Sequence, residues 1–243
     1  PVLAFLITLV YSSKSFNTSA INPDGSFTFV TSARMVIFLM AFLPIWFGTI
    51  NSVQEIVKES AIVIRERLAF LRPSAYLCSK FLVLSVFCLV QCISMVLVFG
   101  ARMEWFNADS EILFTMSGVL FLTSLAGLSM GLAISTLSRT PAQALVITPL
   151  VIVPQILFAG LLLPDSTSGL VRILKTIHIS YWSYSSLGLV HDLNSKMHSL
   201  IPFYKDNPCF SGNLQEKVCA IAVLFLVFAV VALFGVNVKR SRA

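Results

Sequence analysis

Few residues in this chain are able to do covalent chemistry, and they are poorly placed for it. Gly127-Leu128-Ser129-Met130-Gly131 matches G-x-S-x-G, a pattern that can carry a serine nucleophile on a strand-to-helix elbow. Here it lies inside a continuous apolar stretch. The three histidines, His178, His191 and His198, all fall in a later, more polar segment. A serine nucleophile needs a base beside it, and the spacing offers none. The five cysteines and three histidines form no C-x-x-C or H-x-x-x-H pair, so no metal site is expected. Cys78, Cys88 and Cys92 sit in one apolar run as packing residues. Cys209 and Cys219 lie ten apart. Two readings stay open for them: a disulfide on the outer side, or a Cys219 too deep in the last apolar run to pair. Asn17-Thr18-Ser19 fits the glycosylation sequon.

The charged residues that draw attention are Glu55, Glu59 and Glu66, with Lys58, Arg65 and Arg67 around them. At 100° per residue, Val57, Ala61, Ile64 and Leu68 form one stripe and the glutamates gather opposite. This predicts an amphipathic helix over Gln54–Arg72, lying at a membrane surface and stopped by Pro73. The plainer role is a linker. An acidic stripe is nevertheless a poor match for anionic lipid, and it points to a cytoplasmic protein partner.

The elements that must position these groups follow from composition. Of 243 residues, 57% are hydrophobic and 12% charged; mean hydropathy is +0.88. That excludes a disordered chain, a nucleic-acid reader and an ordinary soluble enzyme, and indicates a polytopic membrane protein. Pro1–Tyr11 is apolar but spans only about half the hydrocarbon core, so the first span is expected to be truncated. Five full spans are predicted at Met35–Val53, Ala75–Gly100, Ile112–Leu137, Ala142–Leu163 and Val218–Val238. The fold class is therefore an all-α membrane protein with six transmembrane helices.

Orientation follows from the formal charge of +6 and its placement. Residues 54–80, 138–141 and 239–243 hold nine basic groups in 36 positions, against eight in 88 for the other connections. The denser set is cytoplasmic by the positive-inside rule, with both termini inside. Residues 164–217 then lie outside. Within them, Gly169–Ile179 is predicted as a re-entrant or interfacial helix, Ser180–Tyr184 as boundary aromatics, and Asp192–Glu216 as an exposed loop.

The predicted span cores carry no Asp, Glu, Lys, Arg or His except Lys80, near an interface. Proton carriers and charged ion pores usually need such groups at depth, so a pathway here suits an apolar or amphipathic cargo. Thr123, Gly127, Gly131 and Ser135 recur every four residues, a small-residue ridge for helix packing. Pro149 and Pro154 loosen the fifth span, where Thr148 and Gln155 add polar groups. Phe38, Phe42 and Phe47 surround Pro44 in the second span.

Taken together, Gln54-Glu55-Ile56 through Glu59, Ile64-Arg65-Glu66-Arg67, and Leu71-Arg72-Pro73-Ser74-Ala75-Tyr76 with Lys80 resemble a hallmark of the G subfamily (White/PDR-like) of ATP-binding-cassette exporters. Pro154–Gly160 and Ile179–Tyr184 are similar to that family's fifth span and outer re-entrant region. The resemblance covers most of the chain. Leu71 replaces a usual Tyr, and Ala159-Gly160-Leu161-Leu162 replaces a Gly-Gly-Phe-Phe run; these departures point to a diverged bacterial relative.

The resemblance implies that residues 1–243 are the single permease domain of an exporter for a hydrophobic or amphipathic substrate such as a lipid or drug-like molecule. It works by alternating access in the plasma or inner membrane. The ATP-binding domain is expected upstream or as a separate chain. ATP and Mg would bind there, since no Walker A motif occurs here; this chain needs no cofactor and is not itself an enzyme. The expected partners are that domain, a second copy or a homologous half-transporter, and lipid, with no nucleic acid. Phe38, Phe42, Phe47, Val153, Leu157 and Phe158 are implied as cavity or gate residues. Leu161 and Leu162 are placed at the outer closure, and Glu55, Glu59, Arg65, Glu66 and Arg67 couple to the nucleotide domain. The alternative is a polytopic scaffold or carrier that uses no ATP.

Overall fold

The computed structural model describes residues 5–8, 26–60, 63, 65, 72–102, 110–162, 169–200 and 207–238. Among these residues all regular structure is helical. The helices are α1 (Ser26–Ser52), α2 (Glu55–Lys58), α3 (Pro73–Arg102), α4 (Ser110–Leu137), α5 (Pro141–Leu157), α6 (Gly169–Ile177), α7 (Ile179–Val190), α8 (Leu193–Leu200) and α9 (Leu214–Val238), with a 3₁₀ turn at Pro208–Phe210.

Four of these helices, α1, α3, α4 and α9, are long and apolar enough to cross a membrane. α5 has 17 residues, about 26 Å at 1.5 Å per residue, which is near the lower limit for a span. The predicted fifth span ran on to Leu163, but the helix ends at Leu157. The chain turns through Gly160, whose φ of +96° is costly for a residue with a side chain. Thr140 caps the other end by accepting from the Gln143 N–H at 3.2 Å, and Pro141 occupies the first turn.

Each full span starts earlier than hydropathy indicated, two of them by a turn or more. α1 begins at Ser26 and carries Arg34 within it; no proline or glycine interrupts the chain before Pro44. α9 begins at Leu214, after Gly212 at φ +93°. That start takes Glu216 and Lys217 into its first turn, where Glu216 favours the helix dipole.

α4 is the central helix. Every residue from Ala126 to Thr136 is buried, so it is covered on all sides, principally by α1 and α9. α3 and α9 are peripheral. Leu82, Val83, Val86, Phe87, Val90 and Ile93 of α3 are exposed, a surface too apolar for water and suited to acyl chains. The protein is integral to the membrane.

The segment after α5 is packed more deeply than its sequence indicated. α7 lies among α1, α4, α5 and α9, and Tyr184 is fully buried. Asp192–Glu216 is not simply an exposed loop. Leu193, Met197, Cys209 and Phe210 enter the main core, because α8 and the 3₁₀ turn fold back onto α7.

Candidate functional site

At one end of the bundle, α2 is fixed onto α4. A helix start leaves amide N–H groups without helical partners. Ser135 Oγ accepts from two of them, Ile56 N–H and Val57 N–H, each at 3.0 Å. Val57 and Val53 pack beside Ile134 and Ala144. Ile56, Val57 and Val63 of this segment are buried; Ala61, Ile64 and Leu68 of the predicted stripe lie outside the described residues.

The carboxylates of the same segment are half-buried and bonded to α3. Lys80 Nζ lies 2.6 Å from Glu59 Oε1 and 3.4 Å from Glu55 Oε2, and Tyr76 Oη donates to Glu59 Oε2 at 2.9 Å. Burial alone would raise the Glu59 pKa; the hydrogen bonds from Lys80 and Tyr76 outweigh it and hold the carboxyl below its ordinary value. Two residues expected to face a partner are thus tied to the start of α3. Arg65 is exposed. Glu66 and Arg67 lie outside the described residues.

The seam between α1 and α4 is built on glycine. A Cβ on Gly48 would meet the Ser124 carbonyl oxygen at 2.3 Å, and one on Gly127 the Ile45 carbonyl oxygen at 2.6 Å. On Gly131 it would sit 2.6 Å from the Thr49 carbonyl oxygen. That approach lets hydroxyls reach across: Thr49 Oγ1 shares its proton between the Ile45 and Gly127 carbonyls, and Ser52 Oγ lies 2.9 Å from the Leu128 carbonyl. Thr123 Oγ1 lies 3.0 Å from Ser183 Oγ of α7. Ser129, the serine of the G-x-S-x-G match, donates to the Ala126 carbonyl of its own helix.

The cavity and gate candidates divide into two sets. Phe38 is buried and stacks on Phe42 at 5.9 Å between centroids; Phe42 in turn contacts Trp46 at 6.0 Å. With Ile50 these form a stripe every four residues along α1, and Trp46 and Ile50 are exposed. Phe47 packs against the core on another side of α1. On α5, Val146, Leu150, Val153 and Leu157 form an exposed stripe, while the ring of Phe158 packs tilted against His178 with centroids 4.9 Å apart. Leu161 packs against the core and Leu162 is exposed. α1 and α5 touch. Trp46 was missed from sequence, although its spacing from Phe38 and Phe42 was the signal.

At the opposite end, Gln155 of α5 and Ser180 of α7 bond reciprocally, Ser180 N–H to Gln155 Oε1 and Ser180 Oγ to the Gln155 carbonyl. Lys217 is buried; its Nζ donates to the Cys209 carbonyl at 2.6 Å and to Ser185 Oγ. Cys209 and Cys219 are free thiols, the first buried and the second exposed, so the disulfide reading is not realised. Cys219 points outward from α9 while Cys209 is held under α7. Phe210 fills the space beside Gly188, where a Cβ would overlap its ring. Burial, with the nearby Lys196 charge, lowers the His191 pKa to about 4. Among the described residues no three metal-ligating side chains come together.

A family model described as ABC-2 type transporter matches residues 2–190. The chain belongs to the ABC-2 type transporter family. It is a permease domain, and ABC-2 permease domains generally pair with nucleotide-binding partners. The matched region takes in α1 to α7, the α1–α4 seam, the Glu59–Lys80 cluster and the Gln155–Ser180 pair. No curated protein matches the chain.

Proposed function

We propose that this ABC-2 permease is the membrane half of an ATP-driven exporter of the G-subfamily type, from a bacterial relative, moving an apolar or amphipathic cargo by alternating access. The observation that carries this reading is the fixation of α2. Its amides are held by Ser135 of α4 and its carboxylates by Lys80 and Tyr76 of α3. A segment bound to two helices at once passes a push on its outer side into both. A flexible linker would absorb it.

The end bearing α2 is cytoplasmic in this reading, and both termini lie on that side. ATP and Mg act on a nucleotide-binding domain, fused upstream or separate. Two permease copies meet along the α1 and α5 stripes, with Phe42, Trp46, Val153 and Leu157 toward the shared cavity and Leu161 and Leu162 near its outer closure. α6 and α7 form the outer re-entrant segment. The α6 stripe of Leu170, Ile173 and Ile177 is exposed, as lipid contact requires. ATP binding shifts the population from inward- to outward-facing because the two states make different contacts at α2.

The test is ATP-dependent uptake of fluorescent phospholipid and amphipathic dye probes into inside-out vesicles carrying the full transporter. Uptake that requires ATP and is lost in Lys80→Met supports the reading. Equal uptake with and without ATP across the probe set overturns the ATP-driven exporter and leaves the scaffold or passive carrier.

A further inference from the structure

We infer that α6 is an interfacial helix whose Arg172 binds the phosphate headgroup of an anionic phospholipid while its apolar side meets the acyl chains. The inference goes beyond the permease reading and needs only that the chain is integral to the membrane. At 3.6 residues per turn, the nine residues of α6 divide into three sides. Leu170, Ile173 and Ile177 fall within an arc of about 60° and are 69%, 63% and 54% exposed. Arg172 and Thr176, one turn apart, form a second exposed side. Lys175 is buried on the third, which faces the protein. α6 is fixed in that attitude. Trp182 Nε1 of α7 donates to the Thr176 carbonyl at 2.8 Å, and the His178 amide donates to the Lys175 carbonyl at 3.1 Å.

Each side matches a different neighbour. An apolar side this exposed suits hydrocarbon better than water. A basic side next to it belongs at the headgroups, the arrangement of helices that lie in a bilayer interface. Trp182, a residue type enriched at membrane–water boundaries, holds the same helix from below. The charged residues of α6 are Arg172 and Lys175, with no carboxylate on the helix. Among the described residues no carboxylate pairs with Arg172. A guanidinium forks onto phosphate oxygens through two parallel hydrogen bonds. Arg172 also stands in the first turn, where the helix dipole favours an anion. A zwitterionic lipid brings a choline cation along with its phosphate and loses part of this attraction; a net-negative lipid keeps it.

The experiment uses the full transporter in phosphatidylcholine nanodiscs. A trace of phosphatidylglycerol or of phosphatidylcholine, each with a diazirine in its acyl chain, is activated by light, and mass spectrometry locates the adducts. The phosphatidylglycerol probe should label Leu170–Ile177 about fivefold more than the phosphatidylcholine probe. The exposed apolar side of α3 around Val86 and Phe87 should take both probes equally. Arg172→Gln should bring the α6 preference down to that of α3, with thermal unfolding unchanged. Equal labelling of α6 by the two probes overturns the inference, and so does a preference that survives Arg172→Gln. Labelling of α3 without labelling of α6 shows that protein, a second copy or another partner, covers the helix, and equally overturns it. None of these readouts needs ATP, so their failure is distinct from failure of the exporter reading.

Discussion

Gln155 and Ser180 cap each other across two helices. α5 ends at Leu157, which leaves its last carbonyls without helical donors, and α7 begins at Ile179, which leaves its first amides without acceptors. The Gln155 carbonyl accepts a hydrogen bond from the Ser180 hydroxyl, and the Gln155 side-chain Oε1 accepts from the Ser180 amide at 3.2 Å. One residue pair thus serves two helix ends, and both residues are buried.

Gln155→Leu and Ser180→Ala should each destabilise the protein by about 1 kcal/mol, the scale of an interhelical hydrogen bond in a membrane bundle. The double variant should cost less than the sum of the two, because each single change already breaks the couple. Thermal unfolding in detergent, scored as a double-mutant cycle, checks this. Strict additivity would mean that the two residues do not act together.

The α1–α4 seam makes a sharper prediction. Gly48→Ala and Gly131→Ala place a methyl group 2.3 Å and 2.1 Å from Ser124 O and Ser52 Oγ respectively. The helices must part to accept it, at about 1–3 kcal/mol each. Gly118, on the same helix as Gly131, has nothing within 4 Å of its ideal Cβ position, so Gly118→Ala should be neutral or slightly stabilising. Equal melting temperatures for the three variants would remove close packing as the reason for the glycines.

Much of this architecture was legible because a bilayer imposes length and apolarity on whatever crosses it. The small residues at Thr123, Gly127, Gly131 and Ser135 were equally visible. Two things were not. Ser180, Ser183, Ser185 and Ser186 make α7 look polar by hydropathy, yet small and hydroxyl-bearing residues are what helices use to pack closely in membranes; all four are buried. The pairing of Glu55 and Glu59 with Lys80 was hidden because the lysine is more than twenty residues away in sequence. A helical wheel can group charges on one side of a helix, but it carries no information about what packs there.

Ser129 tests whether any hydrolase chemistry hides in the bundle. Its hydroxyl bonds the Ala126 carbonyl one turn back, and the residue is fully buried. Ser129→Ala therefore removes only a local bond. Stability should change by less than about 1 kcal/mol, and transport should be unaffected. A tenfold or larger loss of transport with normal folding would assign Ser129 a direct role.

The acid response has a defined sign. His191 has a pKa of about 4 in the fold, against about 6.5 in an unfolded chain. The unfolded chain therefore takes up the proton first. Stability from the neutral buried ring is fully present above about pH 6.5 and is lost as pH falls toward 4, by roughly 3 kcal/mol in all. Glu59 acts lower on the scale. Its carboxyl is held below the ordinary value, so its contribution is present above that value and disappears as pH falls through the folded one. Melting curves of wild type and His191→Asn between pH 7 and 4 should therefore diverge, the wild type falling more steeply over this range and Glu59→Gln altering only the acid end. Parallel curves for wild type and His191→Asn would show that His191 is as free to protonate in the fold as outside it.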